Sequence, residues 1–250
     1  MFDLEKSLRC FSGHSFDKAK EGYVNLLMKN ASGKRHGDDK LMVLARKNFL
    51  DKGFYSTLRQ RISQVLGSGN LVLDSGCGEG YYTSLFAEDN TVLGIDISKD
   101  ALKYAAKRCK KATFGVASIS DIPVADFSLD AVLNIFAPDS PKEFARILKE
   151  GGRLIEVLPL ENHLFELKER IYQNPYKNPT PNYEKVGFKI KSVTEVKYKI
   201  HLETNEDIEA LFKMTPYYYK TSRADQQKVE SLETLSLSLE FAIAEYQKNV

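Results

Sequence analysis

Two acids and three glycines fall within the stretch Asp74-Ser75-Gly76-Cys77-Gly78-Glu79-Gly80. Glycine has no Cβ and tolerates positive φ, so a turn of this kind lets backbone approach a ligand closely. The helical spacing that begins at Tyr81 sets the free N–H groups of a helix start beside the turn, which suits an anionic or carboxylate-bearing ligand. The spacing is not the Gly-x-Gly-x-x-Gly dinucleotide fingerprint, and no Walker lysine follows. Asp96 lies 22 residues after Asp74, where a carboxylate can accept both hydroxyls of a ribose; its plain alternative is a helix cap. Ala117 and Ser118 follow a third apolar run, where an adenine ring would lie with Ile97 on its other face. Asn134-Ile135-Phe136-Ala137-Pro138 end a fourth run, with Asp139 beside them, and face whatever group reacts.

These residues need a scaffold that gathers strand ends. Leu71–Leu73, Thr91–Ile95, Lys111–Val116, Leu129–Phe136 and Arg153–Pro159 read as short buried strands, separated by helical spacing that includes a Ser98-capped segment and one opened by Pro141. Such alternation predicts a parallel sheet with helices on both faces. Ligands then bind beyond the carboxyl ends of the strands, at the topological switch point. Upstream, Leu41, Leu44, Ala45 and Phe49 predict a helix with Arg46 and Lys47 on its other side, and Tyr55 to Leu66 a second helix. Downstream the alternation breaks: 187–202 and 235–246 read as a long antiparallel pair around a helix near Ile208–Met214.

The chain of 250 residues suffices for one sizeable domain and a small appendage. No apolar run approaches the roughly 20 residues of a membrane span, and the first residues lack a signal-peptide layout. Three scattered cysteines, Cys10, Cys77 and Cys109, argue for a reducing cytoplasm rather than a disulfide framework. The net charge is +2, but residues 1–66 carry a local +6 and the rest −4. A basic front is compatible with phosphate contacts on nucleic acid, and equally with an ordinary solvated surface.

The order Asp-x-Gly-Cys-Gly-x-Gly resembles motif I of class I S-adenosylmethionine-dependent methyltransferases. A closer resemblance follows from His14-x-Phe16-Asp17-x-Ala19-Lys20-Glu21-Gly22-Tyr23-Val24-Asn25-Leu26-Leu27, Cys77-Gly78-Glu79-Gly80-Tyr81-Tyr82-Thr83, Ile135-Phe136-Ala137-Pro138, His163-Leu164-x-Glu166-Leu167-Lys168 and Met214-Thr215-Pro216. In that order they resemble the bacterial 23S rRNA (guanine-N1-)-methyltransferases. The resemblance implies an α/β, Rossmann-like class I methyltransferase: a mostly parallel seven-stranded sheet with an antiparallel C-terminal pair (38–250) plus a small N-terminal subdomain (1–37). It implies S-adenosylmethionine as cofactor, with Tyr55, Gly78, Glu79 and His163 as contacts beside Asp74, Gly76, Gly80, Asp96, Ile97, Ala117 and Ser118. It departs from the family in one respect. Members open with a four-ligand zinc module, Cys-x2-Cys followed by Cys-x3-His, of which only Cys10 and His14 correspond here. No bound zinc is therefore expected.

The implied reaction is methyl transfer to N1 of a guanine in a 23S rRNA hairpin, on RNA or a large-subunit assembly particle. N1 is protonated at neutral pH, so a base must lie within hydrogen-bond reach; Asp139 is the candidate, with Asn134 orienting the base edge. The guanine must leave its stack, and Tyr23, Phe136 and Tyr217 are candidate stacking partners. Lys34, Arg35, Arg46 and Lys47 are expected to hold phosphates. The alternatives are a small-molecule methyltransferase and a catalytically silent relative. Oligomeric state is left open, with a homodimer one option.

Overall fold

The computed structural model describes residues 2–27 and 37–249. At the N-terminal end β1 (Phe2–Leu4), β2 (Ser7–Arg9) and β3 (Ser15–Asp17) form a small antiparallel sheet. Then comes a two-residue strand, β4 (Val24–Asn25), and two helices, α1 (Lys40–Asp51) and α2 (Ser56–Leu66). Asp39 caps α1, accepting a 2.9 Å hydrogen bond from the Met42 N–H.

The expected alternation follows: β5 (Leu71–Ser75), α3 (Thr83–Phe86), β6 (Thr91–Asp96), α4 (Lys99–Arg108), β7 (Thr113–Val116), β8 (Leu129–Ile135), α5 (Pro141–Ile147) and β9 (Leu148–Pro159). After these come α6 (Phe165–Ile171), β10 (Phe188–Leu202), α7 (Asn205–Lys213), α8 (Tyr217–Lys220), α9 (Arg223–Glu230) and β11 (Leu235–Lys248). The main sheet runs β10-β11-β9-β8-β5-β6-β7-β4. β11 is antiparallel to both β9 and β10, and the pairs from β9 across to β4 are parallel. The core fills both faces, with Phe49, Leu58, Ile62 and Phe241 on one side and Leu73, Val132, Phe144 and Leu154 on the other.

The sheet has eight strands where the sequence suggested seven. The addition is β4, from the N-terminal segment, whose apolar end docks on the main sheet as a strand. Val24 and Asn25 pair in parallel with Gly115 and Val116, and the Leu26 N–H donates to the Val116 carbonyl at 3.0 Å. Gly115 permits the approach: a Cβ there would stand 3.0 Å from Leu26 Cδ1. The α1 reading is corrected in phase. Leu41 and Leu44 are exposed, whereas Val43, Ala45, Phe49 and Leu50 are buried.

Candidate active site

β5 and β8 lie side by side at the centre of the sheet, and the chain leaves them to opposite sides. A cavity of about 780 Å³ opens at their carboxyl ends, as the switch-point rule requires. Its floor is the glycine turn after β5. The N–H groups of Gly76 and Cys77 both donate to the Ile95 carbonyl at 2.9 Å, tying the turn to β6. Gly76 has φ +77°, and a Cβ on it would come within 2.5 Å of Ala137 Cβ, so only glycine fits between the two strand ends.

Asp96 organises the adjoining wall. One carboxylate oxygen accepts the Gly78 N–H at 3.0 Å and the other the Ser98 N–H at 2.7 Å. The capping role weighed for Asp96 falls to Ser98, whose hydroxyl accepts from the Ala101 N–H at the start of α4. Burial raises the Asp96 pKa against those two backbone donors. Glu79 is 2% exposed, and its Oε1 has no hydrogen-bond partner. Burial raises its pKa too, with the nearby Arg46 opposing. A buried acceptor without a partner is costly, so Glu79 marks where ligand hydrogens belong. Asp74 lies just below, its carboxylate accepting from the Thr83 hydroxyl, and burial pushes its pKa up to about 7.

Tyr55 from the start of α2 stacks edge-on to Phe241 at 5.4 Å, and His163 packs on the same ring at 4.5 Å. Both line the cavity, although one precedes β5 and the other follows β9. At the β8 end Phe136 has φ +55° and is 47% exposed, presenting its ring at the rim. Beside it Lys185 reaches in from the loop before β10 and bridges Asp139 (2.6 Å) and Glu156 (2.8 Å). Asn134 lies beneath, donating from Nδ2 toward Glu156 and the Pro138 carbonyl, with its Oδ1 unpartnered.

The structure therefore gathers Tyr55, Asp74, Gly76, Gly78, Glu79, Asp96, Ile97, Ser118, Asp139 and His163 around one cavity. Gly80 is not among its walls: it faces α4, where a Cβ would meet Ala105 at 3.0 Å. Ala117 and Asn134 lie behind the lining, and Tyr23 is buried in the core away from it. Lys34 and Arg35 lie outside the described residues. Lys47 pairs with Asp51 at 2.9 Å on the surface of α1. Arg46, expected on RNA phosphates, instead lines the cavity and is ion-paired to Asp38. Met42, Arg46 and Leu50, four residues apart, all line it; that spacing was the signal for a cavity-facing stripe.

In the turn between β2 and β3 Cys10 Sγ and His14 Nδ1 are 3.3 Å apart and hydrogen-bonded. No group of three His, Cys, Asp or Glu able to hold a metal occurs among the described residues. A structural zinc takes four ligands, of which Cys10 and His14 could supply two.

The strand order, with the cavity at the β5 and β8 ends, is the fold of class I methyltransferases. Residues 72–152 match the family model described as "Methyltransferase domain". A methyltransferase structure from Bacillus halodurans C-125, so titled provisionally, superposes with a TM-score of 0.54 at 18% identity, covering 77% of this chain and 99% of that one. More particularly, the chain is similar to 23S rRNA (guanine-N1-)-methyltransferases. It is 38% identical over 177 residues to the Streptomyces fradiae 23S rRNA (guanine(748)-N(1))-methyltransferase, covering 67% of this chain and 62% of that protein. It is 35% identical over 181 residues to Bacillus subtilis (strain 168) YxjB, provisionally named for the same reaction, covering 67% and 63%. The chain thus spans less than two thirds of each relative's length. Residues 2–31 match the zinc-ribbon model described as "RlmA, N-terminal". That match pulls against the expectation of no zinc; among its described residues Cys10 and His14 are the Cys and His present.

Proposed function

We propose that this chain transfers a methyl group from S-adenosylmethionine to N1 of a guanine in a 23S rRNA hairpin. The observation that carries the reading is that Asp96, held on the Gly78 N–H, and a buried Glu79 with an unpartnered Oε1 line one cavity with the glycine turn and an exposed Phe136 ring. Asp96 accepts ribose hydroxyls, with the Ile97 side chain and the Ser118 loop enclosing the adenine. Tyr55, Gly78, Glu79 and His163 complete the cofactor wall, and the unpartnered Glu79 oxygen fits a donor-rich ligand. S-adenosylmethionine supplies an electrophilic methyl group on a sulfonium sulfur.

The residues at the β8 end handle the acceptor. A guanine drawn out of its stack lies against Phe136, with Tyr217, which also lines the cavity, as a second stacking candidate. Asp139 takes the N1 proton, and Lys185 holds its carboxylate in place. Asn134 orients the loop through the Pro138 carbonyl. Fixing the two reactants in near-attack geometry contributes up to roughly 7–11 kcal/mol of rate enhancement. Lys34, Arg35 and Lys47 hold RNA phosphates in this reading, and the reaction takes place in the cytoplasm on rRNA or a large-subunit assembly particle.

The test is methyl transfer from labelled S-adenosylmethionine to undermodified 23S rRNA, followed by primer extension. N1 methylation interrupts base pairing, so the expected result is a block at one hairpin guanine. Label entering a small molecule and not RNA would overturn the rRNA assignment, and cofactor binding without transfer to either would indicate a silent relative.

A further inference from the structure

The charges lining the cavity are lopsided. Asp38, Asp74, Glu79, Asp96 and Asp139 contribute carboxyl groups, and among the described lining residues Arg46 is the sole Lys or Arg. A ligand bearing several phosphates would meet five acids and one guanidinium. A ligand with one carboxylate and a cationic remainder has the complementary pattern, provided its carboxylate goes to Arg46.

The position of Arg46 supports that placement. Its Nη1 lies 3.9 Å from where a Cβ on Gly78 would stand, so the guanidinium covers the glycine turn. The arginine fork has five N–H donors, and among the described residues its hydrogen bond runs from Nη1 to Asp38. The remaining donors have no hydrogen-bond partner among the described residues and are open to a ligand in the cavity. Glu79, the unpartnered buried acceptor, is the next lining residue along the turn. Burial disfavours the Arg46 charge, but Asp38, Glu79 and Asp96 outweigh it and raise its pKa, so the group stays a cation.

Resting on the methyltransferase reading, we propose that Arg46 is the cavity's carboxylate-binding residue, holding the amino-acid end of S-adenosylmethionine over the glycine turn. Asp38 then serves as its resting partner. The Asp38 carbonyl accepts the Ser98 hydroxyl at 3.0 Å, which keeps this carboxylate at the cavity edge, where a ligand carboxylate competes with it for the guanidinium.

The test is calorimetric binding to the full chain of S-adenosylmethionine and its decarboxylated analogue, which differ only in the carboxylate. A charge-assisted hydrogen bond is worth about 1.5–3 kcal/mol, so the wild type should prefer the carboxylate-bearing ligand by about ten- to a hundredfold. Arg46→Gln should abolish most of that preference while binding the decarboxylated analogue within about twofold of wild type. Arg46→Lys should keep part of it, and Asp38→Asn, which removes the competitor, should enlarge it. Equal weakening of both ligands in Arg46→Gln, or an unchanged preference, overturns the assignment. If Arg46→Gln fails to fold by thermal melting, an Asp38→Asn preference equal to wild type overturns it instead. A wild type that binds neither ligand removes the methyltransferase reading itself, a result distinct from loss of the preference alone.

Discussion

His163 Nδ1 accepts a hydrogen bond from the Glu240 backbone N–H at 3.3 Å. That contact assigns the ring proton to Nε2, because a neutral imidazole has one donor and one acceptor nitrogen. Burial, and then the charge of Lys168, push the His163 pKa down to about 3. The ring is therefore a neutral donor at the cavity wall. An unfolded chain protonates this histidine near pH 6.5 and the folded chain only near 3. The unfolded state thus binds more protons between those values, and stability is lost as pH falls through that window. Urea melts at pH 7 and pH 4.5 should show His163→Asn losing less stability on acidification than the wild type.

Asp74 works in the opposite direction. Its pKa rises from 3.8 to about 7 through burial, so between those values the folded state holds the extra proton. Stability from this group declines as pH rises from 3.8 to about 7 and stays low above it. Asp74→Asn, which can still accept from Thr83, should gain on the wild type as pH is raised. Melts at pH 5 and pH 8 give the comparison, and an advantage that shrank with rising pH would contradict it.

Lys185 and Glu156 have side chains only 7% and 6% exposed. Removing one partner of a buried ion pair leaves an uncompensated charge and costs about 3–5 kcal/mol. Lys185→Met should lower the urea midpoint accordingly, and adding Glu156→Gln should recover part of the loss. Asp139→Asn lies at the exposed end of the same bridge and should leave the melt nearly unchanged while lowering methyl transfer at least about a hundredfold, as expected for loss of a general base. Unchanged turnover would remove Asp139 from the reaction.

Gly76→Ala combines an unfavourable φ with a 2.5 Å clash against Ala137. Overpacking costs about 1–3 kcal/mol, so both thermal stability and cofactor binding should fall. Gly53→Ala is the internal control: φ is +83°, but nothing lies within 4 Å of the added Cβ. It should lose stability through the backbone alone and keep cofactor affinity.

Elemental analysis of the purified chain should find zinc well below one per molecule, because Cys10 and His14 supply two of the four ligands a structural site takes. Stoichiometric, tetrahedral zinc would overturn that expectation and show that the match over residues 2–31 extends to the metal.

The strands and their site-bearing ends were legible because the signals are local. Leu71–Leu73 followed by Asp74 and three glycines declares a buried strand and a tight turn, and Asp96 sits where the next strand must stop. Other features depend on contacts remote in sequence. The phase of α1 was misread because Leu41 and Leu44 are apolar yet exposed, and Arg46 is charged yet faces inward; neighbouring acids, not hydropathy, decide its position. Lys185 reaches Asp139 across 46 residues, and no spacing rule points to that pair. The positive φ of Phe136 follows from the junction it occupies, since its residue type gives no warning of it.

β4 has a consequence for how this chain can be divided. Although only two residues long, it occupies the outer flank of β7. A strand flank without a neighbour is a template for pairing with another molecule. A fragment starting at Gly37 would bare Gly115 and Val116 in that way, and would also remove Leu26 from beside Gly115. Removing the N-terminal residues should therefore raise self-association of the sheet, which sedimentation of such a fragment against the full chain would read.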